Sequence, residues 1–334
     1  MKSVLPILTI LFFTLISCEN ESARSWKVQL PQEKVELQYH DMSRDFFDIS
    51  VPLEELKSKY PFFINPSTSD EEWELQRRDT LELEVYDAVG QVYPKYDYQS
   101  ELEEMFAHYK YYFPNEKIPQ VFVYSSGLQK IYEPVIFGRH EGLLFIALDG
   151  FLGSQNGIYG LQDLLPMKQP VYPYMLKNMN PENLMPAVVS SVGEMMLPFD
   201  AQHLAFVNLM VDEGKKLVLA DALLPETSDD LKIGYTKDEI QWAEANEGEI
   251  WNYFVEQNLI FDTDKSNRER FLDPSPFSKF RNEIETESPG RIGAWIGWQI
   301  CRKFMNRHPE ISLQDFLMKD NGEIFKESKY KPGK

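Results

Sequence analysis

Two glutamates in the second half of the sequence have the spacing and surroundings of groups that could do chemistry. Glu194 lies in an apolar helical pattern that runs from Val189 to Leu197, where an unpaired carboxylate would be costly. Nineteen residues later, Glu213 lies on a second predicted helix, again among apolar neighbours. A carboxylate held in such surroundings can act as a general base or as a metal ligand. The pair is therefore the first place to look for a hydrolytic site.

The sequence around Glu194 resembles the zinc-binding helix of gluzincin-type peptidases but lacks the ligands. In the motif His-Glu-x-x-His, two histidines one turn apart bind zinc and the glutamate activates the bound water. The next helix supplies a third ligand, often Glu. Here Gly193 and Leu197 occupy the two histidine positions, and neither can donate a lone pair to zinc; Glu194 and Glu213 remain as the would-be base and third ligand. We therefore predict no catalytic, cofactor-binding or metal-binding residue, and no enzymatic activity.

Two alternatives to an inactive site stay open. One is a metal site made of His203, Glu194 and Glu213, although His203 has no partner histidine one turn away. The other is an envelope hydrolase that uses Glu194 and Glu213 as an acid pair. Asp149, which follows an apolar strand pattern, is the best further candidate for a buried acid, and a loop-capping role is favoured for it. Cys301 lies in an apolar helical pattern and is interpreted as a buried thiol rather than a nucleophile.

The first half of the chain is predicted to form short strands and helices. Strands are predicted over residues 28–30, 35–37, 46–51, 119–124, 134–137 and 142–148. Helices are predicted from Pro52, over residues 70–92 and over residues 101–112.

From about residue 183 onward the pattern is helical. The predicted helices are residues 183–197, a segment capped by Asp200, one behind the capping box Thr236-x-x-Glu239, one opened by Ser288-Pro289 and a last one capped by Ser312. Gly293 and Gly297 lie one turn apart on the fourth of these, which predicts a close helix neighbour. The predicted fold class is α+β: a small N-terminal sheet with helices, followed by a mainly helical zincin-like half without the metal site.

The charge of the chain excludes one class of partner. It has 53 acidic against 34 basic residues and a net charge of −19. Because nucleic-acid binding needs a cationic surface that neutralises phosphates, we predict no nucleic-acid partner. The same net negative charge disfavours electrostatic binding to anionic lipid head groups, so any membrane attachment must depend on another interaction.

The N-terminal sequence predicts such an interaction, namely a lipid anchor. Lys2 precedes an apolar run, residues 4–16, that is too short to span a bilayer comfortably, as in a signal peptide. The sequence Leu-Ile-Ser-Cys at residues 15–18 resembles the lipobox of bacterial lipoproteins, which implies cleavage before Cys18 and diacylglycerol on its sulfur. We therefore predict a signal peptide over residues 1–17, an acylated tether over 18–25 and a single domain over 26–334. The predicted location is the cell envelope, at the outer rather than the inner membrane.

Over essentially the whole mature chain, the sequence resembles the gliding-motility lipoprotein GldB family of Bacteroidetes. The resemblance is carried by the lipoprotein start and by residues 145–152, 190–197, 212–216, 220–225 and 288–298. It implies a non-enzymatic envelope component partnered by gliding or secretion proteins, in a lineage that kept a zinc-peptidase-like fold and lost the metal. A further hypothesis is a carrier or chaperone for exported proteins that holds a peptide in the residual cleft.

Overall fold

The computed structural model describes residues 26, 34–65, 67–163, 170–198, 204–281 and 285–332. These residues have the predicted α+β architecture, with a small sheet in the N-terminal half and helices through most of the rest. The predicted signal peptide, the tether with Cys18, the strand pattern at 28–30, the cap Asp200 and His203 lie outside the described residues.

The helices and strands have the following bounds. The strands are β1 (Tyr39–Asp41), β2 (Gln120–Tyr124), β3 (Val135–Gly138) and β4 (Leu143–Ala147). The earlier helices are α1 (Met42–Phe47), α2 (Leu53–Lys59), α3 (Asp70–Gln76), α4 (Thr80–Val92) and α5 (Tyr98–Tyr112). The later helices are α6 (Pro173–Leu176), α7 (Leu184–Met196), α8 (Phe206–Leu223), α9 (Asp229–Ile233), α10 (Lys237–Ala245), α11 (Glu247–Glu256), α12 (Ser266–Phe271), α13 (Ile292–Arg307), α14 (Leu313–Met318) and α15 (Asn321–Ser328). Within the described ranges, no helix has both the length and the apolar character needed to cross a membrane.

The strands form one sheet in the order β1-β2-β4-β3, in which β3 is antiparallel to β4 and the other pairs are parallel. Alternate residues of a strand face opposite sides of the sheet. Val121 and Val123 therefore enter the main core, whereas Phe122 and Tyr124 enter a smaller core with residues of α1 and α2. Because both faces are covered, the two central strands are largely apolar.

The strand predicted over residues 46–51 is wrong, and so is the one over 35–37. The first of these segments begins with the end of α1, because Asp41 caps that helix by accepting a hydrogen bond from the backbone N–H of Arg44, 3.0 Å away. Residues 35–37 precede β1 and belong to no helix or strand. A helix cap thus overrides a local apolar pattern.

The helix predicted over residues 70–92 is two helices. The first, α3, ends at Gln76. Asp79 then caps the second, α4, since its carboxylate accepts from two backbone N–H groups in the first turn of α4. Ser312 caps α14 as predicted, but α14 is not the last helix because α15 follows it. The predicted strands at 119–124, 134–137 and 142–148 and the helix at 183–197 are confirmed within two residues at their ends.

The close helix neighbour predicted from Gly293 and Gly297 is α8. A Cβ atom at Gly297 would lie 1.7 Å from the carbonyl oxygen of Met210, and one at Gly214 would lie 2.3 Å from the carbonyl oxygen of Gly297. Only glycine leaves room for backbones this close. The crossing of α8 and α13 therefore fixes the position of the helix that carries Glu213.

Candidate functional site

Glu213 is the centre of a polar cluster on α8. Its side chain is buried, and three cations lie around it. Lys216 Nζ is 3.1 Å from Oε1, Arg291 Nη2 is 3.2 Å from Oε2, and Arg268 Nη2 is 4.0 Å from Oε1. Burial opposes ionisation, but the neighbouring cations outweigh it and hold the pKa of Glu213 below its ordinary value. Glu213 is thus an ionised carboxylate committed to ion pairs.

Glu194 lies on α7, at the edge of the same cluster. Its side chain is 60% exposed, and its Oε1 lies 3.7 Å from Lys216 Nζ. Lys216 therefore joins the two glutamates that the sequence singles out. An ion pair as exposed as that of Glu194 contributes only ~0–1 kcal/mol to stability. The two carboxylates meet through one lysine.

Gly193 and Leu197 occupy packing positions next to this lysine. A Cβ atom at Gly193 would lie 3.2 Å from Lys216 Cγ, so the lysine stem fills the space beside the glycine. Leu197 follows the last residue of α7, and its N–H donates to the carbonyl oxygen of Gly193 at 3.0 Å. A larger side chain at position 193 would therefore push against the stem of Lys216.

In the part of the chain that the structure describes, no three or more His, Cys, Asp or Glu side chains come together in a way that could hold a metal ion. The alternative site of His203, Glu194 and Glu213 stays a hypothesis, since His203 is outside that part. An incoming metal cation would meet the three cations that already surround Glu213.

Asp149 and Cys301 have structural partners. Asp149 is buried and accepts hydrogen bonds from the backbone N–H groups of Ser126 and Leu128, at 2.9 and 2.7 Å. It therefore caps the loop after β2, the role favoured from the sequence. Cys301 is a buried thiol on α13, as predicted, with Sγ 3.7 Å from the carbonyl oxygen of Val211. Burial raises the pKa of this thiol far above its ordinary value, which makes it a poor nucleophile.

Arg291 ties the cluster to α13 through a strained backbone. It precedes the first residue of α13, and its φ of 60° lies in the left-handed region that residues other than glycine rarely adopt. Its guanidinium donates to Glu213 Oε2 at 3.2 Å and to the carbonyl oxygen of Ile233 at 3.1 Å. Such strain costs ~1–3 kcal/mol and persists only where the surrounding structure holds it, commonly at functional sites.

A cavity of about 340 Å³ opens beside Lys216 and Arg291. Its wall is formed by parts of α6, α7, α8 and α9 together with residues 131, 132, 134, 150–151, 177–179, 183, 234–235, 274–275 and 290–291. Among the described residues, this wall has four cationic side chains, namely Lys177, Lys216, Lys232 and Arg291, and no carboxylate. The chain as a whole has 53 acidic against 34 basic residues, so the wall has the opposite charge balance.

Two of the four wall cations are neutralised by carboxylates outside the wall. One forms a simple ion pair, and the other belongs to a network of two cations and two carboxylates. Lys177 Nζ is 2.7 and 2.6 Å from the two carboxylate oxygens of Glu239. Lys232 donates to the buried Asp221 at 3.1 Å, and Arg302 joins that carboxylate to Asp229. Lys216 and Arg291, in contrast, both depend on Glu213, which does not line the cavity.

Sequence reasoning missed both the cations and the cavity. One signal was present for Lys216, which follows Glu213 by three residues and so lies on the same face of a helix. The cavity draws its wall from segments between residues 131 and 291, and no local pattern reveals that these segments meet.

The fold and the site define an α+β protein in which a buried, ion-paired carboxylate lies beside a cavity with a cationic wall. Residues 23–332 match the family described as gliding motility protein GldB. The chain belongs to the GldB family, as the residues quoted from the sequence indicated, and is a gliding motility protein of a lipoprotein family. Comparison with curated proteins and with solved structures gave no match.

Proposed function

We propose that this chain is a lipid-anchored, non-catalytic component of the gliding machinery that acts by binding or scaffolding. Membership of the GldB family supports the role in gliding. The observation that carries the non-catalytic part is the state of Glu213, whose two carboxylate oxygens are occupied by Lys216 and Arg291.

The ion pairs make Glu213 unsuited to proton transfer. A general base works best with a pKa near the working pH and with a lone pair within reach of the substrate. The cations around Glu213 lower its pKa, and each of its two carboxylate oxygens already accepts a hydrogen bond from one of them. Glu194 is exposed, with Lys216 as its ion-pair partner, and so lacks the enclosed surroundings of a catalytic acid.

We further propose that α7 and α8 derive from a zinc-peptidase-like arrangement that has lost its ligands. Two observations support this: α7 packs against α8, and Gly193 faces Lys216 across from Glu213. In this proposal the ammonium of Lys216 supplies the positive charge beside the carboxylates that a zinc ion supplies in the active enzymes.

The anchor belongs to the same proposal. Cys18 carries diacylglycerol, residues 18–25 form the tether, and residues 26–334 form one domain in the cell envelope at the outer membrane. Two or three acyl chains give a lasting attachment, whereas a single chain binds only reversibly. The lipoprotein character of the family supports the lipid anchor.

Metal and cleavage measurements on one preparation test the non-catalytic proposal. The mature lipoprotein is purified from envelopes without chelator, its zinc is quantified by mass spectrometry, and its hydrolysis of a mixed peptide library is followed. We expect zinc well below one ion per chain and no cleavage above that of a Glu213→Gln sample. One zinc per chain together with cleavage would overturn the proposal in favour of the hydrolase alternative.

A further inference from the structure

We propose that a second cavity, at the carboxyl ends of β1 and β2, binds a small organic ammonium ion. This inference goes beyond the proposed function, because the second cavity shares no described wall residue with the cavity beside Lys216. Three features of the second cavity carry it: its place in the sheet, its tyrosine rings and its carboxylates.

The second cavity lies where parallel strands end. Its volume is about 550 Å³, and its wall includes Asp41, the last residue of β1, residues 123–125 at the end of β2, and Leu148, which follows β4. In open sheets of parallel strands, ligands bind in the crevice outside the carboxyl ends of the strands. The volume lies in the range of sites for small ligands, ~300–1,000 Å³. The fold thus forms a cavity of suitable size at the edge of the sheet where ligands bind.

Tyrosines make up a large part of its wall. Tyr86 comes from α4, and Tyr93, Tyr96 and Tyr98 come from the segment between α4 and the start of α5. The ring of Tyr93 makes an angle of 89° with that of Tyr98, with centroids 5.4 Å apart, and an angle of 74° with that of Tyr96, at 6.4 Å. The faces of aromatic rings attract organic cations, and groups of such rings recognise quaternary ammonium ions. Rings set at steep angles to one another suit a compact cation of this kind.

The hydroxyl groups of two of these tyrosines are already used. Tyr93 donates to the carbonyl oxygen of Leu148 at 3.2 Å, and Tyr96 donates to Glu101 Oε2 at 2.7 Å. A neutral sugar, the other ligand that binds among tyrosines, depends on hydrogen bonds to free hydroxyl groups, whereas a cation needs only the rings. The engaged hydroxyl groups therefore favour a cation.

Two carboxylates in the wall complement a positive charge. Asp41 and Asp97 each use one oxygen to cap a helix, by accepting from the backbone N–H of Arg44 at 3.0 Å and of Ser100 at 3.2 Å. Within the described part of the chain, neither carboxylate forms an ion pair, and the only cation in the wall is the exposed Lys95. Two carboxylates against one ammonium group leave a single negative charge, which one cationic ligand neutralises.

Isothermal titration calorimetry on the full mature lipoprotein tests the proposal. The protein is held in nanodiscs of phosphatidylglycerol, whose head group has no ammonium. The ligands are choline, glycerophosphocholine and the neutral analogue of choline in which a tert-butyl group replaces the trimethylammonium group. We expect saturable binding of at least one of the two ammonium compounds and binding weaker by about tenfold or more for the neutral analogue. Tighter binding of glycerophosphocholine identifies a lipid head group as the source of the ammonium, and tighter binding of choline a free compound.

Asparagine variants test the carboxylates without removing the helix caps, because asparagine caps a helix about as well as aspartate does. Asp41→Asn and Asp97→Asn should each weaken binding by about threefold or more, and the double variant by about tenfold or more. The matched control is Asp79→Asn, the same change at the cap of α4 and outside the cavity wall, which should leave binding unchanged. A control that weakens binding as much as Asp41→Asn would overturn the inference.

Two variants of Tyr96 separate the ring from the hydroxyl group. Tyr96→Leu should weaken binding by about threefold or more, whereas Tyr96→Phe keeps the ring and should restore it. Equal weakening in both variants would show that the hydroxyl group holds the ligand, which contradicts recognition by the rings.

Two outcomes with the unaltered protein also overturn the inference, and neither depends on the folding of a variant. These are equal binding of choline and its neutral analogue, and no binding of either ammonium compound. Neither outcome affects the proposed function, which fails instead if the protein holds zinc and cleaves peptides. The two failures are therefore distinguishable.

Discussion

At the scale of the residue, Glu213 shows how one carboxylate links separate segments. Its cations come from α8 itself, from α12 and from the residue that precedes α13. Lys216 and Arg291 are largely withdrawn from water, so both depend on the negative charge of Glu213, whereas Arg268 is half exposed and lies closer to Asp273. The cluster is a structural link whose outer side forms part of a cavity wall.

Glu213→Gln should destabilise the fold. Removal of the charge leaves Lys216 and Arg291 without their buried counter-ion, at a cost of about 2–3 kcal/mol, below the range for fully buried pairs because both cations retain some exposure. Urea denaturation measures the change in the free energy of unfolding. The control Glu244→Gln, at an exposed position of α10, should change it by no more than about 0.5 kcal/mol. Equal stability of the two variants would show that the cluster contributes nothing.

His108 should make stability depend on pH. It is fully buried on α5, neither ring nitrogen has a partner among the described residues, and burial lowers its pKa below the ordinary 6.5. The folded protein thus keeps the ring neutral, while the unfolded chain takes up a proton as the pH falls through ~6.5, so stability decreases below that pH. Urea denaturation at about pH 7.5 and about pH 5.5 should show this decrease in the wild type and a smaller one in His108→Phe. The same decrease in both proteins would contradict the assignment.

At the scale of the element, the crossing of α8 and α13 determines where the site lies. The backbones touch at Gly214 and Gly297, and this contact places Glu213 within reach of Arg291. These two glycines, one on each helix, are therefore as important to the site as the charged residues themselves.

Gly297→Ala should separate the two helices. The added Cβ would lie 1.7 Å from a backbone oxygen of α8, so the helices must move apart, and we expect a loss of about 3 kcal/mol or more of unfolding free energy. Gly90→Ala is the matched control: it lies in α4 and is exposed, with nothing within 4 Å of the new methyl group. The control should be more stable by about 0.5–1 kcal/mol. Thermal or urea unfolding of both variants checks the pair, and a stable Gly297→Ala protein would contradict the crossing.

Helix and strand prediction from sequence succeeded where a single local signal dominates. The apolar run at β4 and the capping box at Thr236 gave the observed elements, and the glycine spacing in α13 gave the close helix neighbour. It failed at residues 46–51, where the cap Asp41 starts a helix within a strand-like pattern. The cavity could not be predicted, because Asn183, Lys216 and Arg291 meet only through the tertiary fold.

At the scale of the whole molecule, the chain is an acidic protein of a lipoprotein family, and we propose that lipid holds it on a membrane. A net charge of −19 repels anionic lipid surfaces, so in our proposal attachment depends on a lipid carried by Cys18. The cationic cavity wall stands out against this charge.

Cys18→Ala should release the protein from the membrane and abolish gliding. Without the thiol no diacylglycerol can be attached, and in the described residues no helix can replace the anchor by crossing the bilayer. Fractionation of cell envelopes with an antibody to the protein measures the release, and time-lapse microscopy measures gliding. Normal gliding by a soluble form would contradict the anchored role.

Complementation by Glu194→Gln tests the central claim, that the two glutamates are not catalytic. The variant is expressed at wild-type level in a strain that lacks this gene, and gliding speed is measured beside the wild type. We predict the wild-type speed, because Glu194 is 60% exposed and loses only a 3.7 Å ion pair with Lys216. Loss of gliding by a variant that is folded, lipidated and correctly located would contradict the account and favour the hydrolase.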